Sequence, residues 1–201
     1  MNETVNPAWV KAGYRWERAA MLEAAELFDH IGWKWWKKQE IDREQCLLEL
    51  VDIFHFAISL DIIEGAADAV AYSNMYTHAN KKTKRDQDKE YIFERVTKFI
   101  EICSTYGDID TAVFFQMVVA LDFTLEDIVK WYIGKNVLNQ FRQAHGYKQG
   151  TYVKNWATAD EKAQGTEYED NFVLAQILNA NPTITAQELE TKLEAHYALI
   201  K

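Results

Sequence analysis

The chain has 201 residues, enough for one medium domain with a true core, and its 48% hydrophobic and 13% aromatic content excludes a disordered polymer. A formal net charge of −9 argues against a nucleic-acid polymer as partner, although metals and local cations would still let an acidic protein hold a small phosphorylated molecule. Only 8 Gly and 2 Pro occur, which favours long helices over many short strands.

Residues 1–14 lack periodicity. From about Tyr14 to His30 a helical pattern appears, with Ala19, Ala20, Leu27 and Ile31 along one side and Gly32 at its end. Trp33 to Lys38 form an aromatic and basic connection, with Trp33 expected to plug the core. Asp42 suits the N-cap of an oily helix from about Arg43 to Glu64, closed by Gly65. The polar stretch Asn80 to Gln87 reads as a solvated loop. Helices are predicted over Lys89–Tyr106, stopped by Gly107, and over Asp110–Leu121. Thr124 and Asp127 resemble a capping pair for a helix running to about Ala144. Residues 147–170 read as irregular. Two short helices follow, Asn171–Asn179 and Ala186–Leu199, the second opened by a Thr185/Glu188 capping box. There is no internal repeat and no strand pattern of useful length. The fold class is all-α.

Cys46 and Cys103 sit in apolar helical contexts without zinc or disulfide spacing, as expected of reduced thiols in a cytoplasmic protein. The start does not resemble a signal peptide. No apolar run reaches the spanning length of about 18 residues, so no membrane partner is expected.

Between Leu47 and Leu60 only Glu49, Asp52, His55 and Ser59 are polar, at helical spacings of three, three and four. A helix that is oily all round is buried, so this stripe faces inward. Two inward carboxylates require a compensating positive charge, and a divalent metal supplies it most simply. Glu23 and Glu26 share a face of the preceding helix, and 22 residues intervene between Glu26 and Glu49. Two antiparallel helices would gather the four acids into an oxygen-rich site for Mg²⁺ or Mn²⁺. A Glu-x-x-Glu pair alone is often only a solvated face, and a lone His55 is more often a satisfied core histidine than a ligand. Di-iron chemistry would want two Glu-x-x-His pairs, whereas the second pair here is Glu49/Asp52 and His30 falls four residues from Glu26.

The basic counterpart runs from Lys135 to Trp156. Lys135, Asn139 and Arg142 share a helix face, and Tyr147, Lys148, Tyr152 and Lys154 follow Gly146. In so acidic a chain this cluster looks like a triphosphate grip, with a merely solvated basic patch as the alternative. Trp35 could close over a base.

Glu23-Ala-Ala-Glu26-Leu-Phe-Asp, Trp33-Lys-Trp-Trp-Lys37, Glu49-Leu-Val-Asp52-Ile-Phe-His55-Phe and the Lys135–Trp156 block resemble, in order, the all-α dimeric dUTPases within the all-α NTP pyrophosphatases. Glu169-Asp170-Asn171 with Val173-Leu174 resembles that family's last motif. The resemblance implies hydrolysis of dUTP, and of dUDP, to dUMP by a homodimer using metal-activated water. Glu23, Glu26, Glu49 and Asp52 match the family's Mg²⁺ ligands. Glu26 is then the residue that orients or deprotonates the water, with Glu49 as the second catalytic carboxylate. Lys135, Asn139, Arg142, Tyr147, Lys148 and Lys154 match phosphate-side positions, and His55 and Trp35 match positions near base and sugar. The family reads uracil with a Gln and, four residues on, an Asn. Asn2 falls at the Asn, and the Gln would precede Met1, so either the start is truncated or the base is read differently. Rivals are a pyrophosphatase for another nucleotide such as dCTP and a non-enzymatic nucleotide-binding regulator. One domain is expected over residues 1–201, with core helices at about 14–65 and 124–201 and a mobile lobe at about 66–122. The apolar 109–121 helix is compatible with a dimer surface.

Overall fold

The computed structural model describes residues 1–84 and 88–200. Among them are ten α-helices and no strand, with one isolated bridge between Asn155 and Glu169. The all-α class is as read from the sequence. The chain divides into two compact units, Gly13–Tyr132 and a second formed by Met1–Ala12 with Ile133–Lys201.

The first unit is built on α2 (Trp16–Ile31) and α3 (Arg43–Glu64), which pack along each other's length. The inner face of α2 is Trp16, Ala20, Ala24, Leu27 and Ile31, at spacings of three and four. Ala20 and Ala24 have no exposed surface, and their small side chains let α3 approach closely. Ala19 sits half-buried beside this face. Asp42 caps α3 by accepting from the Gln45 N–H, as its position predicts. The oily helix buries Cys46 through Leu48, Leu50, Val51, Ile53, Phe54 and Ala57.

α5 (Lys89–Tyr106) packs on α2, and α6 (Thr111–Ala120) packs on α3, on α5 and on α4 (Ala69–Lys82). Phe54 stacks on Phe114 at 5.5 Å and meets Phe115 and Tyr132 obliquely. α6 buries eight of its ten residues in this core. Its apolar excess is therefore used inside the unit. The bounds of α5 match the prediction. α4 was missed: Asn80, Lys81 and Lys82 are helical, not loop, while Arg85, Asp86 and Gln87 of that stretch lie outside the described residues.

The second unit holds α1 (Asn2–Val5), a 3-10 turn at Trp9–Lys11, α8 (Ala159–Ala163), α9 (Asp170–Ala180) and α10 (Ala186–Ala198). It also holds the greater part of α7 (Leu125–Ala144), which begins in the first unit. Thr124 and Asp127 cap α7 reciprocally, and Thr185 and Glu188 form the predicted box on α10. Phe141, Tyr152, Trp156 and Tyr197 pack as an aromatic core. Gly134 lets α9 come close, since a Cβ there would meet Leu178 Cδ1 at 2.8 Å.

The turn after α2 is pinned twice. Gly32 adopts φ +84°, and a Cβ there would lie 2.6 Å from Gln39 Cβ. Lys89 of α5 donates to the Gln39 carbonyl. Gly32→Ala should destabilise the protein by about 1–3 kcal/mol, read as a lower midpoint in urea denaturation. An unchanged midpoint would mean the turn relaxes freely.

Candidate active site

Three of the four acids expected to converge lie together, and Glu26 is not among them. Glu23 on α2 and Glu49 and Asp52 on α3 each place a carboxylate oxygen within 4.8 Å of the others. Glu49 is buried at 8% exposure, Glu23 and Asp52 are half-buried, and Glu26 is exposed. The site is thus graded from a dry floor at Glu49 to an open rim at Glu26, rather than dry throughout. His55 and Ser59 continue the polar stripe, both buried. The Ser59 hydroxyl donates to the His55 carbonyl, and the His55 ring lies among Trp16, Phe56 and Tyr132.

Crowded carboxylates cannot all be ionised. Glu23 is pushed up to about 8, first by burial, then by its hydrogen bond with Glu49, then by the charges of Asp52, Glu49 and Glu26. A proton shared with Glu49 therefore stands where a cation would otherwise balance the charge. Oxygen-only donors so arranged fit a hard divalent ion and lack the nitrogen and sulfur ligands of a zinc site. His30, passed over in the sequence, places Nε2 3.3 Å from Glu49 Oε1. Its spacing of seven from Glu23, two helical turns, was the available signal.

The raised Glu23 carboxyl has two signed consequences. The folded chain keeps a proton that the unfolded chain releases above the ordinary value of 4.5. That contribution to stability is full below pH 4.5 and is lost as pH rises through about 8. A divalent ion must displace the proton, so its apparent affinity should rise about tenfold per pH unit between pH 6 and 7. Metal titration calorimetry across that window checks this. Glu23→Gln should flatten both trends, and an equally steep variant would place the proton elsewhere.

Of the other site candidates in the first unit, Trp35 is 89% exposed and edge-on to Trp36. Trp33 is not a core plug. It is 43% exposed, and its indole N–H donates to Asp29 Oδ1. A hydrogen bond, not burial, fixes that ring.

The second unit carries the basic candidates. Lys135 is buried, Asn139 half-buried, and Tyr147 and Lys148 exposed. Lys154 pairs with Glu169 at 2.8 Å. Asn2 is half-buried in α1. Gly146, at φ +89°, turns the chain from α7 into this loop, and a Cβ there would lie 2.1 Å from Thr151 Oγ1. Arg142 is buried and forms a two-point ion pair with Asp170, which is fully buried at the start of α9. Burial opposes the guanidinium charge, but the Asp170 hydrogen bonds and charge outweigh it. The Tyr152 hydroxyl donates to Asp170 Oδ2 at 2.6 Å, and burial together with Asp170 holds that phenol protonated. Asp170 was not among the expected site residues, whereas Tyr152 was one of the phenols of the expected phosphate grip. The Glu169-Asp170-Asn171 motif was the signal for Asp170.

Among the described residues no helix is long and apolar enough to cross a membrane. None of the curated proteins compared matches the chain. A family model described as dUTPase matches residues 1–147, a span that includes the four acids, Trp35, His55, Lys135, Asn139, Arg142 and Tyr147. With that match over most of its length and a fold of helices alone, the chain belongs to the all-α dUTPase family, hydrolases that cleave dUTP.

Proposed function

We propose that this chain is a Mg²⁺-dependent dUTP diphosphatase that also accepts dUDP, yielding dUMP. The observation that carries the reading is the convergence of Glu23, Glu49 and Asp52 oxygens within 4.8 Å on two adjacent helices. These three with Glu26 would hold the metal. When bound, Mg²⁺ (or Mn²⁺) supplies charge neutralisation for the phosphates and lowers the pKa of water. Glu26, exposed at the rim, is suited to orient the attacking water and take its proton. Glu49, on the floor, is the carboxylate whose loss is hardest to replace. His55 and Trp35 are assigned to base and sugar, Asn2 to uracil, and Lys135, Asn139, Tyr147, Lys148 and Lys154 to the phosphate chain. We also assign a cytoplasmic homodimer and a lobe at about residues 66–122 that moves when nucleotide binds. Both extend the family resemblance.

A hydrolysis panel over the deoxynucleoside di- and triphosphates, with Mg²⁺ and with chelator, tests the reading. Turnover of dUTP and dUDP confined to Mg²⁺ is expected. Preference for dCTP would move the substrate, and no metal-dependent turnover of any nucleotide would favour a regulator.

A further inference from the structure

His30 stands at the edge of the acid cluster without belonging to it. It lies in the last turn of α2, and its backbone carbonyl accepts the N–H of Asp42, the residue that caps α3. That bond ties the end of one helix to the start of the next, and Glu49 follows Asp42 by two turns along α3. The His30 side chain is 28% exposed, and its Nε2 lies 3.3 Å from Oε1 of Glu49. A ring nitrogen that faces a carboxylate carries its hydrogen there, within reach of a charge-assisted hydrogen bond. Among the described residues, the ligand atoms gathered within 4.8 Å of one another come from Glu23, Glu49 and Asp52, not from His30. The imidazole therefore touches one member of the acid set rather than completing it.

We propose that His30 is a positioning residue for Glu49, and that it selects a compact six-coordinate ion over a larger one. This rests on the metal reading above. The Nε2 hydrogen takes up a lone-pair direction of Oε1 and turns the carboxylate to meet an ion through one oxygen. Mg²⁺ and Mn²⁺ suit single-oxygen carboxylates in an octahedral shell. Ca²⁺ takes about six to eight oxygens and readily uses both oxygens of one carboxylate, which this contact opposes.

Calorimetric titration of Mn²⁺ and of Ca²⁺ into the full chain, at one fixed pH, compares wild type with His30→Leu and His30→Gln. His30→Leu removes the donor. It should weaken Mn²⁺ binding by about tenfold or more while Ca²⁺ binding holds or tightens, so the ratio of the two affinities falls. His30→Gln restores an N–H on a side chain of similar reach and should recover most of the Mn²⁺ preference. Melting in chelator shows whether the variants keep the fold. Should His30→Leu melt early, His30→Asn, which is polar but too short to reach Glu49, takes its place with the same expected result. An unchanged ratio in the donor-less variant, whether both affinities hold or fall together, overturns this inference and leaves the metal reading standing. A lowered ratio that His30→Gln does not restore overturns it too, because the N–H is then not what matters. A wild-type chain that binds neither ion overturns the metal reading as well.

Discussion

Glu49→Gln is expected to lower Mg²⁺-supported dUTP turnover by about 10³-fold, equivalent to about 4 kcal/mol of lost transition-state stabilisation. Glu49 forms the buried floor of the acid cluster and meets both Glu23 and His30. An amide there has the shape of the carboxylate without its charge. Stability should respond in the opposite sense. In chelator the substitution removes one source of like-charge repulsion, so the variant should melt no lower than wild type. In Mg²⁺ wild type should gain stability and the variant should not. Melting curves with and without metal, beside steady-state rates, separate this outcome from unfolding. A variant that loses activity by melting early in chelator would mean that Glu49 holds the fold together rather than the metal.

Asp170→Ala should destabilise the second unit by about 3–5 kcal/mol, because it leaves the Arg142 charge buried without its partner. For a chain of this size that is a fall of about 6–20 °C in melting temperature. The pair is the most enclosed ionic contact described, with Asp170 at 0% exposure and Arg142 at 9%. Replacing both residues, Asp170→Leu with Arg142→Met, should recover much of the loss, since the desolvation cost disappears with the charges. A single variant that melts within a degree or two of wild type would show that water reaches the guanidinium.

How far the sequence could be read depended on the range of the interaction. Local devices were legible. Asp42, Thr124 with Asp127, and Thr185 with Glu188 cap the helices they were expected to cap. Thr158 and Glu161 form the same box on α8, so the rule was sufficient there and the five-residue helix was passed over in a loop-like stretch. α4 buries only Ala79, and without an apolar face it left little periodicity to detect.

The acid cluster was legible because α3 has no second polar face, which left Glu49 and Asp52 with one direction to point. What periodicity could not convey was depth. Glu26 shares a face with Glu23 yet stands in solvent. Trp33 has the size of a core residue but is held by Asp29, four residues away. Arg142 shares helical spacing with Lys135 and Asn139, which suggests an outward cation. Its counter-ion lies 28 residues along the chain, where no local pattern points back to it.

A divalent ion held by the carboxylates of α2 and α3 is central to the proposed chemistry. Isothermal titration of Mn²⁺ into wild type and Glu49→Gln, in buffers of different ionisation enthalpy at pH 7, measures affinity and proton release together. Binding to wild type with release approaching one proton, and none to the variant, is predicted. Equal binding to both proteins, or binding to wild type without proton release, would contradict it.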